Sequence, residues 1–281
     1  MGVPMTSFPS IAFIGGGNMA NALVSGLLNQ GCPKESLHVI EVAETLRVQW
    51  SSRGVQTSAG PDGQLSPCQV WIFAVKPQQM KEVVLQCKPW MTPDTLVISI
   101  AAGISIASLA TWLGTPNAPY KNIVRCMPNT PALVGAGVTG LAAPAALSSV
   151  NREIATHLLS AVGHAVWVKD DAAIDAVTAL SGSGPAYVFL FLEALIKGAE
   201  VLGLTNAQAK ELALATLSGA TKLASDSTDS PAILRERVTS KGGTTAAALA
   251  VFQESRFVEI VAHAMKAADQ RAAELSKEFG D

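Results

Sequence analysis

The residues with the clearest chemical purpose lie near the start of the chain. Gly15-Gly16-Gly17-Asn18-Met19-Ala20 fits the spacing G-x-G-x-x-A, directly after the apolar run Ile11–Ile14 and directly before a helical pattern. Gly15 permits a tight turn, Gly17 lets the backbone approach a pyrophosphate, and Ala20 keeps helix and sheet close. Asn18 and Met19 open the helix, whose unpaired N–H groups would face the anion. A flexible turn is the plainer reading. Glu41, at the end of the next predicted strand, is placed to bond the hydroxyls of an adenosine ribose, or else is a solvated strand-end carboxylate. Ala74-Val75-Lys76-Pro77 closes a central strand, and Ile100-Ala101-Ala102-Gly103 closes the next in small residues that leave room for a flat nicotinamide. Open parallel sheets bind ligands at such carboxyl ends. Each segment alone could be a structural turn, but their repetition favours a cofactor crevice.

Three further segments carry more polar chemistry than packing needs. Arg125-Cys126-Met127-Pro128-Asn129-Thr130-Pro131 is a proline-framed polar turn after a strand. Leu180-Ser181-Gly182-Ser183-Gly184-Pro185-Ala186-Tyr187 joins two helices through hydroxyls and glycines. Arg237-Val238-Thr239-Ser240-Lys241-Gly242-Gly243-Thr244-Thr245 opens another helix with paired glycines and four hydroxyls. Any one of them could be an ordinary capped turn. All three beside a nucleotide loop point to a substrate site.

The elements that must position these residues follow from periodicity. Ala20, Leu23, Val24, Leu27 and Leu28 repeat on one helical face, stopped by Gly31 and Pro33. Strands are predicted at 37–42, 70–75, 96–100, 123–127 and 164–168, with helical patterns between several of them. This alternation predicts a doubly wound, mostly parallel Rossmann-like sheet covered on both faces. After Val168 the pattern changes to Ala/Leu-rich helices. Thr205 with Gln208 forms a capping box, and Ser230-Pro231 is an N-cap followed by proline at the first helical position. Two domains are expected: residues 1–168 for the dinucleotide and residues 169–281 as an all-helical dimerisation and substrate domain.

Composition narrows the function classes. The net charge of −2 offers no basic excess for nucleic acid or an anionic membrane. Cys32, Cys68, Cys87 and Cys126 show no C-x-x-C pair and no histidine at zinc spacing, so no metal is expected and the thiols read as reduced and cytoplasmic. The four histidines fall in strand or helix patterns and read as structural. Residues 95–120 and 126–151 carry no charge but are broken by Gly, Pro, Ser and Thr, so they read as buried strands and short helices rather than membrane spans. The segment after Met1-Gly2 matches an acylation pattern formally, without a basic cluster to support it.

Taken together, IGGGNMA, AVKP, SIAAGISI, VRCMPNTPA, DAVTALSGSGPAY and VTSKGGTT make the chain resemble the pyrroline-5-carboxylate reductase family over essentially its whole length. The resemblance implies an NADPH- or NADH-dependent reduction of pyrroline-5-carboxylate to L-proline, and a helical domain interlocked with a second subunit. It also implies that substrate is held against the Gly-Gly-Thr-Thr turn. There, Gly242, Gly243 and Thr244 would offer backbone N–H groups to the carboxylate, and the Thr245 hydroxyl would meet the ring nitrogen. The chain departs from the family pattern at Lys241 and at Thr228-Asp229, which puts the outer substrate contacts in doubt. A hydroxyacid dehydrogenase or another imine reductase on the same plan is an alternative, although no lysine has an asparagine four residues on, as such dehydrogenases require. A non-catalytic nucleotide sensor is another. The helix expected over 184–202 is apolar on nearly every face, which requires burial: against a partner's helices in a homodimer or a ring of dimers, or else inside a monomer against the sheet domain.

Overall fold

The computed structural model describes residues 8–115 and 117–280, so the acylation pattern at Gly2 lies outside the described residues. Eight strands form one sheet: β1 (Ile11–Ile14), β2 (Leu37–Ile40), β3 (Gln56–Ser58), β4 (Val70–Phe73), β5 (Leu96–Ser99), β6 (Ile123–Met127), β7 (Gly137–Ala142) and β8 (Gly163–Trp167). Their order is β3-β2-β1-β4-β5-β6-β7-β8, parallel throughout except between β6 and β7. The central strands are buried along their whole length, which is why they read as unbroken apolar runs.

Helices α1 (Asn18–Asn29), α2 (Glu44–Ser52), α3 (Met80–Cys87), α4 (Ile106–Leu113), α5 (Ser149–Leu159) and α6 (Asp171–Val177) accompany the sheet. On one face, Leu23, Val24 and Leu27 of α1 and Leu158 of α5 pack against Ile11, Phe13, Val39 and Ile72. On the other, Val84 of α3 and Trp112 of α4 pack against Ile14, Trp71, Phe73 and Val97. Ser105, Ser148 and Asp170 cap α4, α5 and α6 by accepting from backbone N–H groups in the first turn. Burial pushes the Cys68 thiol up to about 11 and the Cys87 thiol to about 12.

The strands expected at 37–42, 70–75 and 96–100 end earlier, at Ile40, Phe73 and Ser99, because the chain leaves the sheet there to build the cleft. Two strands escape periodicity altogether. β3 is three polar residues, Gln-Thr-Ser. β7 is interrupted by Gly140, where a Cβ would lie 2.7 Å from the Val177 side chain of α6.

Among the described residues, the buried cation Arg125 ties several of these elements together. It is 1% exposed on β6; its Nη1 donates to Asp171 at 2.8 Å and its Nη2 to Asp175 at 2.7 Å, both on α6. Asp171 in turn accepts from the Ile106 N–H at the start of α4.

The remaining helices are α7 (Gly184–Val201), α8 (Asn206–Asp226), α9 (Pro231–Arg237), α10 (Thr244–Glu254) and α11 (Phe257–Gly280). The capping box at Thr205 and Gln208 and the Ser230 cap form as expected. The compact units divide after Ser183 rather than at the change of pattern near Val168, and the chain from Ala268 onward belongs with the sheet. Residues 169–183 go with the sheet because α6 is anchored to it through Arg125, and the end of α11 packs on Gly103, whose φ is +72° and where a Cβ would lie 3.1 Å from Leu275 Cβ. Within residues 184–267, α7 leaves Phe189 59% and Leu190 67% exposed, and residues 171–201 are long and apolar enough to cross a membrane by length and composition.

Removing one partner of a buried ion pair typically costs about 3–5 kcal/mol. Arg125→Met strands two carboxylates, so the urea midpoint, read at fixed chain concentration, is expected to fall accordingly; an unchanged midpoint would show the network to be dispensable.

Candidate active site

The glycine loop is held by side chains on both backbone groups of one residue, Gly16. The Gly16 N–H donates to Glu41 Oε2 at 2.8 Å, and the Gly16 carbonyl accepts from Trp50 Nε1 at 3.1 Å. A Cβ at Gly16 would lie 2.6 Å from Trp50 Nε1, and one at Gly15, whose φ is +102°, would lie 2.7 Å from the Ala74 carbonyl. A Cβ at Gly17 would meet nothing within 4 Å, so this residue faces open space as the cap of α1. Asn18, Met19 and Ala20 then form the first helical turn, whose N–H groups have no acceptor within the helix. Ala20 is fully buried in the core, as close helix–sheet packing requires, and Met19 packs against that core.

A cavity of about 270 Å³ opens between these residues at the carboxyl ends of β1, β2 and β4. Gly15, Gly16, Gly17, Glu41, Ala74, Val75 and Lys76 line it as the sequence suggests. This is the switch point, where the strand order reverses between β1 and β4, and such crevices bind nucleotides. Val42, Gly60, Pro61 and Gln79 also line it. Periodicity missed Gly60 and Pro61 because β3 before them is too short and polar to be read as a strand, although a Gly-Pro pair is a turn signal in itself. Pro77 begins the turn beyond Lys76. Ala101, which is buried, and Ala102 follow β5 on the same edge but lie outside this cavity.

The Glu41 carboxylate is more committed than a free ribose acceptor would be. Its Oε1 accepts from the Ala43 N–H at 2.8 Å while Oε2 holds Gly16, leaving one further lone pair on each oxygen for a ligand hydroxyl. Arg47, one turn beyond Glu41, is folded back: its Nη1 donates to the carbonyls of Glu41 at 2.8 Å and Val42 at 2.7 Å. In a neighbouring cleft beside Asn18, Arg53 stacks on Trp50 and donates to Asn21 and Ser25. These residues fit an adenine dinucleotide.

The Gly-Gly-Thr-Thr turn lies in the helical unit. Gly242 has φ +72°, and Gly243 caps α10 in extended backbone. The Gly243 N–H donates to the Ser240 carbonyl at 3.0 Å, closing the turn. This removes the Gly243 N–H from the expected set of donors, and the first-turn N–H groups of α10 without an acceptor in the helix are those of Thr244, Thr245 and Ala246. Thr245 is half-buried, and its hydroxyl has no partner among the described residues. Lys241 is exposed beside it.

Comparison with known proteins identifies the family. The family model described as pyrroline-5-carboxylate reductase dimerisation matches residues 171–275, and one described as NADP oxidoreductase, coenzyme F420-dependent, matches residues 10–103. The chain is 45% identical to the pyrroline-5-carboxylate reductase of Pseudomonas aeruginosa over 98% of its own length and 99% of that protein. The structure of a pyrroline-5-carboxylate reductase from Coxiella burnetii superposes with a TM-score of 0.89 at 38% identity, covering 96% of this chain and 99% of the other. Plasmodium falciparum pyrroline carboxylate reductase, solved with NADP bound, superposes at 0.83 with 29% identity over 95% of this chain and 98% of that one. The chain belongs to the pyrroline-5-carboxylate reductase family.

Proposed function

We propose that the protein reduces 1-pyrroline-5-carboxylate to L-proline with NADPH or NADH. The observation that carries this reading beyond family membership is the Thr245 hydroxyl, half-buried, unpartnered among the described residues, and set in the first turn of α10 beside its free N–H groups. That turn suits a small cyclic imine acid: an anion cradle for the carboxylate and a hydroxyl for the ring nitrogen.

When bound, the dinucleotide supplies the hydride, becoming oxidised as the imine carbon is reduced. The π electrons of the C=N bond move to nitrogen, which carries or takes up a proton and becomes the amine of proline. Glu41 and the glycine loop hold the adenosine and pyrophosphate, and the α10 turn holds the carboxylate. Thr245 orients the nitrogen. No strong base or nucleophile is required, so most of the acceleration comes from holding donor and acceptor in register.

The same reading covers assembly and location. The exposed apolar faces of α7 and the helices around it are covered by a second copy, giving a homodimer or a ring of dimers, which agrees with the dimerisation model matched by residues 171–275. This explains residues 171–201 without a bilayer. Four buried thiols suit the cytoplasm.

Oxidation of NADPH or NADH on adding pyrroline-5-carboxylate tests the activity, and its absence would refute the reading. Because Glu41 opposes a 2′-phosphate and Arg47 can be released to meet one, kcat/KM for the two cofactors is expected to differ by no more than about tenfold, or about 1–2 kcal/mol; a thousandfold preference would contradict this role for Glu41. Thr245→Val keeps the shape and removes the hydroxyl, so kcat is expected to fall by about tenfold to a hundredfold. A rise in KM alone would reduce the hydroxyl to a binding contact. Light scattering on dilute active protein is expected to show no species near the 29.1 kDa of one chain.

A further inference from the structure

We propose that Asn129 is a positioning residue for hydride transfer, fixing the wall of the cleft on the nicotinamide side by tying the turn that leaves β6 to the turn that follows α6. The inference rests on the reductase reading above. With the adenosine half over β1 and β2, a dinucleotide crossing the carboxyl edge of the sheet brings its reactive end toward β5 and β6. β6 ends at Met127, and Asn129 lies two residues beyond, 8% exposed.

Both ends of the Asn129 amide are used. Its Nδ2 donates to the Ser181 carbonyl at 3.1 Å, and its Oδ1 accepts from the Val138 N–H at 2.9 Å. The Ser181 carbonyl needs an outside donor for a reason visible in the chain: the residue four positions on is Pro185, which has no N–H. The segment Thr178–Gly182 is a π-helical turn, closed by the Ser183 N–H reaching the Thr178 carbonyl at 2.8 Å, and such turns gather at functional sites. The two turns are also in contact, since a Cβ at Gly182 would lie 2.7 Å from the terminal Cε of Met127. Arg125, on the strand just before, anchors α6 through Asp171 and Asp175 and so sets where the π turn begins. The polar motifs around Asn129 and Ser181 are thus one rigid unit.

A misplacement of about 1 Å at a reacting centre can cost about a hundredfold in rate. Losing the Asn129 tie therefore shows in kcat, whereas the nucleotide KM, set largely at the adenosine end, holds within about twofold. Asn129→Asp separates this from a general packing role. As a neutral acid, Asp donates to Ser181 and accepts from Val138, reproducing both bonds. As a carboxylate, it has no donor and faces a carbonyl. Burial against that carbonyl raises the acid's pKa above its unfolded value, so the native arrangement is present at low pH and lost as pH rises through the raised pKa.

The experiment is the pH profile of kcat for Asn129→Asp and Asn129→Leu, each divided by wild type so that titration of the substrate cancels, with circular dichroism of the same samples. The Asp ratio is expected to be about a hundredfold low at high pH and to recover by about tenfold or more on acidification, while the Leu ratio stays low throughout. A normal Asp ratio at high pH, or a low ratio that does not recover, overturns the proposal. So does a loss of kcat that appears only together with loss of the folded dichroism signal, since the bond would then hold the fold rather than the reacting end. Wild-type protein that fails to reduce pyrroline-5-carboxylate would refute the reductase reading itself, a result distinct from all of these.

Discussion

The guanidinium of Arg125 is the contact from which the reactive edge of the sheet is organised. Burying a cation on a β-strand is tolerable only when carboxylates accompany it. Here two come from successive turns of α6, and one of them also accepts the first N–H of α4. A single charge thereby links β6, the helix leading to the π turn, and the helix that follows the Ala101-Ala102-Gly103 segment. Its Nε is buried without a partner among the described residues, a desolvation cost that the surrounding charged hydrogen bonds must offset.

The opposite end of the cleft is organised by neutral geometry rather than charge pairing. Glu41 and Trp50 hold the N–H and the carbonyl of Gly16, and the absence of side chains at Gly15 and Gly16 lets the loop pass between the end of β4 and α2. Glu41 is therefore a structural clamp as well as the nearest acid to a ribose, and a change there would alter loop shape and cofactor choice together. In the proposed reading the two ends divide the labour: the glycine loop takes the adenosine half, and the turns that Asn129 ties together frame the reactive half.

Such a division suits a reaction that asks for little chemistry from side chains. An imine already accepts hydride, so alignment matters more than acid–base strength. The buried thiols and histidines need take no part. In the proposed reading, the anion cradle is the first turn of α10, and the exposed apolar faces of α7 and its neighbours are what a second copy covers.

Much of this was present in the order of residues. The loop Gly15–Gly17 before α1, the strand–helix alternation, the caps at Thr205 and Ser230 and the family motifs are local patterns, and local backbone preference is enough to make them readable. Other features depend on partners distant in the chain. β3 and β7 exist because neighbouring strands pair with them, not because Gln56–Ser58 or Gly137–Ala142 alternates in hydrophobicity. The early strand ends, the allegiance of residues 169–183 to the sheet, and the commitment of Gly243's N–H to its own turn likewise arise from packing and hydrogen bonds that residue spacing does not encode. Asn129 shows the division in one residue: its place in a polar turn was visible in the sequence, but its bond to Ser181, 52 positions away, was decided only when the tertiary fold brought a donor to a carbonyl that Pro185 had left without one.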